Sequence, residues 1–277
     1  MVRFRLTKDI KKLQKKAKDL RKDILIMCHA AKSGHPGGSL SAIDILVCLY
    51  YGFLKHDPKN PNVADRDRFV LSKGHACPAL YAVLADCGYF RHKDLLTFRK
   101  INSHLQGHPS IVDTPGVEFS AGSLGQGFSG AIGMALGYML DEKKNTIYAM
   151  LGDGECDEGQ IWEAALSAAH FKLDNLIAIV DVNGLQIDGF TKDIMNTEPI
   201  AEKFQAFNWN VIEIDGHDYK QIIAAFEAAQ HRKNHRPTVI IARTIKGKGI
   251  SFMENKVEWH GKAPNDEELV IALKELE

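Results

Sequence analysis

At 277 residues the chain is long enough to bury a sizeable core, as one large α/β domain or two small ones. Its 35 Lys plus Arg balance 35 Asp plus Glu, so no global field favours a polyanion, and neither a nucleic acid nor a membrane is expected as a partner. Five cysteines without CxxC or zinc-ligand spacing read as free thiols in a reducing compartment, which makes the cytoplasm the expected location.

The N-terminus MVRFRLTKDIKKLQKK has no apolar stretch of the secretory kind, and the longest apolar-rich stretch, 45–54, is short of the ~20 residues a membrane span needs. Ile10, Leu13, Ala17, Leu20, Ile24, Met27 and Ala31 recur at steps of three and four, so residues 9–32 are expected to form an amphipathic helix that stops near Gly34. Its other face carries Lys8, Lys11, Lys12, Lys15, Lys16, Lys18, Arg21 and Lys22, and is read as solvated because Asp9, Asp19 and Asp23 interrupt it. A second helix is expected over 41–53, then a Pro/Asn/Asp-rich loop, a short strand at 68–71 and a helix over 78–87. Residues 101–127 hold many breakers and little periodicity, and a loop of this length inside a compact domain is usually functional.

Residues 127–140 read as a small-residue helix able to pack closely. Two apolar runs, 145–151 and 176–182, read as buried parallel strands. The helix between them, 160–173, places Ile161, Ala164, Ala165, Ala168 and Phe171 near helical spacing. Strands near 209–214 and 238–244, with a helix between, follow. No repeat, low-complexity tract or linker divides the chain, so the expected fold class is α/β: a single doubly wound domain over 1–277, mostly parallel, with helices on both faces.

The strand–helix–strand unit carries the chemistry. GDGECDEGQ begins at Gly152, where the first strand ends, and Asn183 ends the second strand thirty residues after Asp153, so Asp153 and Asn183 share the carboxyl rim where open α/β sheets bind ligands. Gly-Asp-Gly alone is also good turn chemistry. In this context a lone Asp, an Asn amide and a nearby main-chain carbonyl suit magnesium, which takes few carboxylates and completes its octahedron with phosphate and water, and Gly152 and Gly154 let backbone approach a phosphate. His35 in SGHPGGS, His75 in LSKGHA, His108 in QGHPS and His260 in WHGKAP each lie beside glycine in a breaker-rich segment. Singly, each suits a surface or cap. Together they suit proton transfer to sugar hydroxyls, or phosphate binding when charged, and the remaining histidines receive no role. GSLGQG, Gly122 to Gly127, opens a helix and aims N–H groups at an anion or polar ring, although close helix packing would also explain its glycines.

In that order and spacing, SGHPGGSLS, RDRFVLSKGHA, QGHPS with TPGVEFSAGSLGQG, GDGECDEGQIWEA with DVNGLQIDG, and RTIKGKGISFMENKVEWHG resemble the N-terminal half of a transketolase, nearly end to end. The resemblance implies thiamine diphosphate as cofactor with Mg2+, or another divalent cation such as Ca2+, held by Asp153, Asn183 and the Leu185 carbonyl, with Gly152 and Gly154 near the diphosphate. It implies His75 and His260 on the diphosphate side, His260 also facing substrate, His35 and His108 on the donor ketose, and Gly122 and Leu124 lining the aminopyrimidine or thiazolium. Glu158, counted with His35, His108 and His260 as catalytic, and Glu163 match acidic positions at a subunit interface; helix-start carboxylates would look the same.

In full-length relatives the glutamate that protonates the aminopyrimidine, its aromatic pocket and the sugar-phosphate residues follow in further domains, so a partner chain carrying the pyrimidine-binding and C-terminal domains is expected, two copies of each chain completing two sites. The implied reaction is reversible transfer of a two-carbon ketol unit between sugar phosphates, from xylulose 5-phosphate to ribose 5-phosphate. A thiamine-diphosphate enzyme for an unusual sugar, and a noncatalytic module that retains the fold, are the alternatives.

Overall fold

The computed structural model describes residues 6–231 and 234–277; residues 1–5, Arg232 and Lys233, part of the expected 1–277 domain, lie outside the described residues. Helix α1 (Ile10–Ala31) keeps the expected period and buries Leu13, Ala17, Leu20, Ile24 and Met27. Asp9 caps it, its carboxylate accepting from the Lys12 N–H at 3.3 Å and so satisfying one of the donors a helix start leaves free. The basic face needs one correction. Arg21 is only 7% exposed and forks onto Asp44 with Nη1 and Nη2 at 2.9 and 2.6 Å, because a guanidinium on a covered stripe must be paired. Elsewhere the solvated reading stands: Lys8 reaches Glu227 at 2.7 Å and Lys16 reaches Asp86 at 2.8 Å, both within this chain.

Helix α2 (Pro36–Gly52) begins well before the expected residue 41. SGHPGGS reads as a breaker, yet Pro36 occupies the first helical turn, where its missing N–H costs nothing. Gly37 serves close approach, since a Cβ there would lie 2.7 Å from the Trp259 carbonyl oxygen. Every residue of α2 is buried. Helix α3 (Cys77–Cys87) follows strand β1 (Arg68–Leu71), both close to their expected limits.

The other helices are α4 (Gln126–Leu140), α5 (Gly159–His170), α6 (Thr191–Ile194), α7 (Ile200–Ala206), α8 (Tyr219–His231) and α9 (Asp266–Glu275). The sequence pattern does not announce α6, α7 or α9. Helix α9 starts at a reciprocal cap, with the Glu268 N–H on Asn265 Oδ1 at 2.8 Å and the Asn265 N–H on Glu268 Oε2 at 2.8 Å. Phe171, expected on the buried stripe of α5, is 43% exposed: α5 stops at His170 and the stripe ends with it.

With β1, the strands β2 (Ile147–Gly152), β3 (Leu176–Val182), β4 (Asn210–Asp215) and β5 (Thr238–Arg243) form a five-stranded sheet in the order β1-β2-β3-β5-β4, every pair parallel. Tyr148, Met150, Ile177 and Ile179 face the core shared with α1, α2, α3 and α8. Ala149, Leu151, Ala178 and Val180 face the core shared with α4, α5 and α7. Both faces are covered, which is why β2 and β3 read as unbroken apolar runs instead of alternating. The architecture is therefore the expected α/β one, with helices on both sides of a parallel sheet. All five cysteines are free and buried. Among the described residues no helix is long and apolar enough to cross a membrane.

Candidate active site

Parallel strands end on one rim, and β2 and β3 each deliver a turn to it. Asp153, directly after β2, is 3% exposed; its Oδ1 accepts from the Gly154 N–H at 2.9 Å and its Oδ2 from the Gly184 N–H at 2.6 Å. Asn183, directly after β3, accepts from the Leu185 N–H at 3.2 Å. The two side chains are thus tied together through one backbone turn. Burial, and then the neighbouring Asp181, push the Asp153 carboxyl up to about 6, and an adjacent cation is what would favour its charged form. Asp153, Asn183 and the Leu185 carbonyl offer only hard oxygens, a donor set that fits Mg2+ or Ca2+ and leaves coordination positions for phosphate and water. Among the described residues no group of three His, Cys, Asp or Glu is placed to hold a metal ion.

Three of the four histidines meet ring against ring. His35 caps α2, His75 lies in the short 3₁₀ turn after β1 and His260 in the turn Val257–His260. Their ring centroids are 5.4 Å apart for His35 and His75, 5.4 Å for His35 and His260, and 5.2 Å for His75 and His260. Burial lowers all three: His35 to about 4 with help from Arg99, His260 to about 3 with help from Lys246, and His75 well below the ordinary range with help from Lys73. The rings are neutral at pH 7. A neutral ring carries one N–H and one lone pair, the equipment for accepting and donating a proton, and a bound phosphate would pull each ring back toward its charged form. His35 Nδ1 is buried without a hydrogen-bond partner, so this ring keeps a polar atom available to a ligand.

His108 is exposed on the long loop and faces Gly122, where a Cβ would lie 3.8 Å from its ring. The loop is pinned: Tyr81 donates to the carbonyls of Gln106 and His108 at 2.9 and 3.2 Å, and the Cys77 thiol to that of Gly107 at 3.2 Å. Gly122 is exposed and Leu124 half-buried, ahead of the α4 start. Both readings of GSLGQG have a residue behind them, for a Cβ on Gly127 would strike Ser72 Cα at 2.7 Å, a packing constraint, whereas Gly122 faces only His108. Glu158 and Glu163 are exposed at the start and on the outer face of α5, and the structure brings neither into the histidine cluster.

The sequence reading misses the buried ionic groups that join these parts. Lys246, 2% exposed, donates to the Leu185 carbonyl at 3.1 Å and lies 2.7 Å from His260 Nδ1, linking the oxygen set to the histidines. Burial, then Lys73, lowers its ammonium to about 8. Asp181, fully buried within β3, accepts from Ser41 Oγ at 2.6 Å and from the Lys73 ammonium and the Thr244 hydroxyl. Burial opposes its charge, but Lys73 wins and holds the carboxyl below its usual range. Glu155, 2% exposed, accepts from the Ser72 hydroxyl, the Gly125 N–H at 2.9 Å and the Gly152 N–H at 3.0 Å, bracing three motif segments at once. One signal was legible: an Asp inside the apolar run LIAIVDV is rarely buried unless paired.

Comparison with known proteins adds a family and its subunit-length members. The family described as "Transketolase, thiamine diphosphate binding domain" matches residues 13–276. The chain is 47% identical over 265 residues to the 6-deoxy-6-sulfo-D-fructose transketolase subunit SqwG of Clostridium sp. (strain MSTE9), covering 96% of each. It is 44% identical over 265 residues to one of the subunits of the apulose-4-phosphate transketolase of Actinobacillus succinogenes, covering 95% of each. Among solved structures it is similar to the transketolase of Campylobacter jejuni, with a TM-score of 0.91 and 38% identity over 97% of this chain, and it spans 43% of that longer protein.

Proposed function

Because this chain belongs to the transketolase family as its thiamine diphosphate-binding domain, we propose that it is the diphosphate- and metal-holding subunit of a transketolase completed by a second chain. The observation that carries this reading is Lys246, whose ammonium bridges the Leu185 carbonyl and His260 and so makes one continuous site of the oxygen set and the histidines.

Asp153, Asn183 and the Leu185 carbonyl would hold Mg2+ or Ca2+. Gly152, Gly154 and Lys246 would meet the diphosphate, with His75 and His260 beside it. When bound, thiamine diphosphate supplies the electron sink for cleaving a carbon–carbon bond. The chain's own residues would hold substrate and move protons. His35, with its unpartnered Nδ1, and His108 on the pinned loop would contact the hydroxyls of a donor ketose, and neutral rings can take a hydroxyl proton and return it. Gly122 and Leu124 would line a cofactor ring. Glu158 and Glu163, exposed on α5, would contribute from a subunit interface, acting on the site only once the partner covers them.

The partner is read as a chain carrying the pyrimidine-binding and C-terminal domains, in a complex with two copies of each chain. The substrate class is a ketose with an anionic terminal group. Two subunit-length relatives bear the names of a sulfofructose and an apulose phosphate enzyme, so an unusual donor stands beside the xylulose 5-phosphate and ribose 5-phosphate pair. The deciding experiment assays the chain alone, and the complex recovered with it from native lysate, with thiamine diphosphate and Mg2+ against all three donors. Two-carbon transfer only in a complex containing a second chain supports the reading and identifies the donor; turnover by the lone chain, or none with any donor, overturns it.

A further inference from the structure

His217 received no role from the sequence. It stands in the turn between β4 and α8, in the segment DGHD, another glycine-flanked histidine at an element end. Its ring is fully employed: Nδ1 lies 2.8 Å from Asp44 Oδ2, and Nε2 accepts the Ile245 N–H at 2.9 Å. A carboxylate on one side and an amide donor on the other require the neutral tautomer with its proton on Nδ1.

The other end of that assembly is rigid. Asp44 is 3% exposed and also receives both Nη groups of Arg21 and the Tyr219 hydroxyl, the last at 2.5 Å, so the anchor of the His217 ring cannot turn freely. The guanidinium Nε of Arg21 donates in turn to the Lys248 carbonyl at 3.0 Å, holding the same segment from below. Gly216 adds a second grip. Its N–H donates to the Arg243 carbonyl at 2.7 Å, and a Cβ on it would come within 2.4 Å of Thr244 Cγ2.

The segment so held, 243–248, is the one that carries two site groups: Thr244, whose hydroxyl reaches Asp181, and Lys246, which reaches the Leu185 carbonyl and His260. We infer that His217, clamped between Asp44 and the Ile245 N–H, is a positioning residue that aims Lys246 at the cofactor's diphosphate. It acts on the site through the Ile245 backbone, and Lys246 is the group through which that positioning reaches the diphosphate. Residues that orient metal ligands typically cost about 10- to 100-fold in affinity when lost, and a partner that acts through the backbone, as His217 does, is expected at the lower end of that range.

The inference rests on the reading of Lys246 as a diphosphate contact, and a double-mutant cycle separates the two. His217→Asn keeps a donor near Asp44 but is too short to accept from Ile245, so the anchor survives and only the clamp is cut. The dissociation constant for thiamine diphosphate with Mg2+ is measured by titration on the complex containing the full chain, for wild type, His217→Asn, Lys246→Met and the pair, with thermal melts alongside. The expected result is about tenfold weaker binding for His217→Asn, at least as much for Lys246→Met, and less than about twofold further loss when the first is added to the second. If Lys246→Met binds like wild type, the Lys246 reading fails and takes the inference with it. If Lys246→Met weakens binding but His217→Asn has no effect, or the two effects multiply, only the positioning role of His217 is wrong. Should His217→Asn lower the melting point sharply, Gly216→Ala, which pushes Thr244 from the other side, replaces it in the same cycle with the same three outcomes.

Discussion

Two helices start at the same rim, and the chain treats them differently. Every residue of α2 is buried, enclosed by α1, α3, α8 and the segment around Trp259. Helix α4 buries only Gly127, Phe128, Ala131, Ile132 and Ala135, and its neighbour α5 leaves Glu158, Glu163 and Leu166 outside. The α2 side is thus closed by this chain's own side chains, and its histidines are half-buried, their titration pulled down by that burial. The α4 and α5 side ends in a surface where Gly133 and Gly137 have nothing within 4 Å of a would-be Cβ. A site walled on one side and open on the other is one to which a second chain can add residues, and the acidic positions of α5 lie on the open side.

The contrast can be broken most severely in the core. Leu46→Ala on α2, at 0% exposure, should cost about 2–5 kcal/mol in chemical unfolding, whereas Leu166→Ala on α5, at 57% exposure, should stay within about 0.5 kcal/mol. Equal costs would mean that α5 is as enclosed as α2. At the seam, Asp153→Ala should weaken metal-dependent thiamine diphosphate retention on the order of 100-fold, since it removes the only carboxylate of the oxygen set. Retention measured by gel filtration and cofactor assay that stays at the wild-type level would move the metal elsewhere.

Gly37→Ala should destabilise by about 1–3 kcal/mol because its methyl group meets the Trp259 carbonyl, a backbone atom that cannot step aside. Thermal melts of the purified chain would report it.

Acid sharpens the same contrast. His35 and His260 fall to about 4 and about 3 in the fold, from 6.5 when free, so between pH 4 and 6.5 the unfolded chain binds more protons and stability rises with pH. Asp153, raised from 3.8 to about 6, works the opposite way over part of that window, as the folded state holds its proton longer. Two histidines outweigh one carboxyl, and His75 adds to them, so the melting temperature should climb from pH 4.5 to 6.5. The climb should flatten in His260→Asn. Smallest of all, Gly133→Ala should raise the stability of the isolated chain by about 0.5–1 kcal/mol, the gain of replacing an exposed mid-helix glycine. A loss of assembly in the same variant would locate the partner against α4.

Much of the fold was written locally. The three-and-four spacing of α1, the β-branched runs of β2 and β3 and the glycine punctuation at Gly152 depend on neighbours in the chain, so a reader of the sequence recovers them. So do the turns that set Asp153 and Asn183 on one rim, because parallel strands joined by a helix must end on the same side. The four histidines were visible for the company they keep. Phe171 and the start of α2 were misjudged, one because a stripe does not say where its helix ends, the other because Pro36 and Gly37 read as breakers until Trp259 is packed against them.

What only the tertiary structure decided is which charges are buried and with whom. Arg21 looks like the lysines around it until Asp44 meets it, Asp181 looks misplaced until Lys73 arrives, and Lys246 and His217 are unremarkable until Leu185, His260, Ile245 and Asp44 surround them. These pairs lie far apart in the chain and follow no period. A charge can enter the core only where a partner waits, and where it waits is a property of the packed sheet and its helices, which no local stretch of residues encodes.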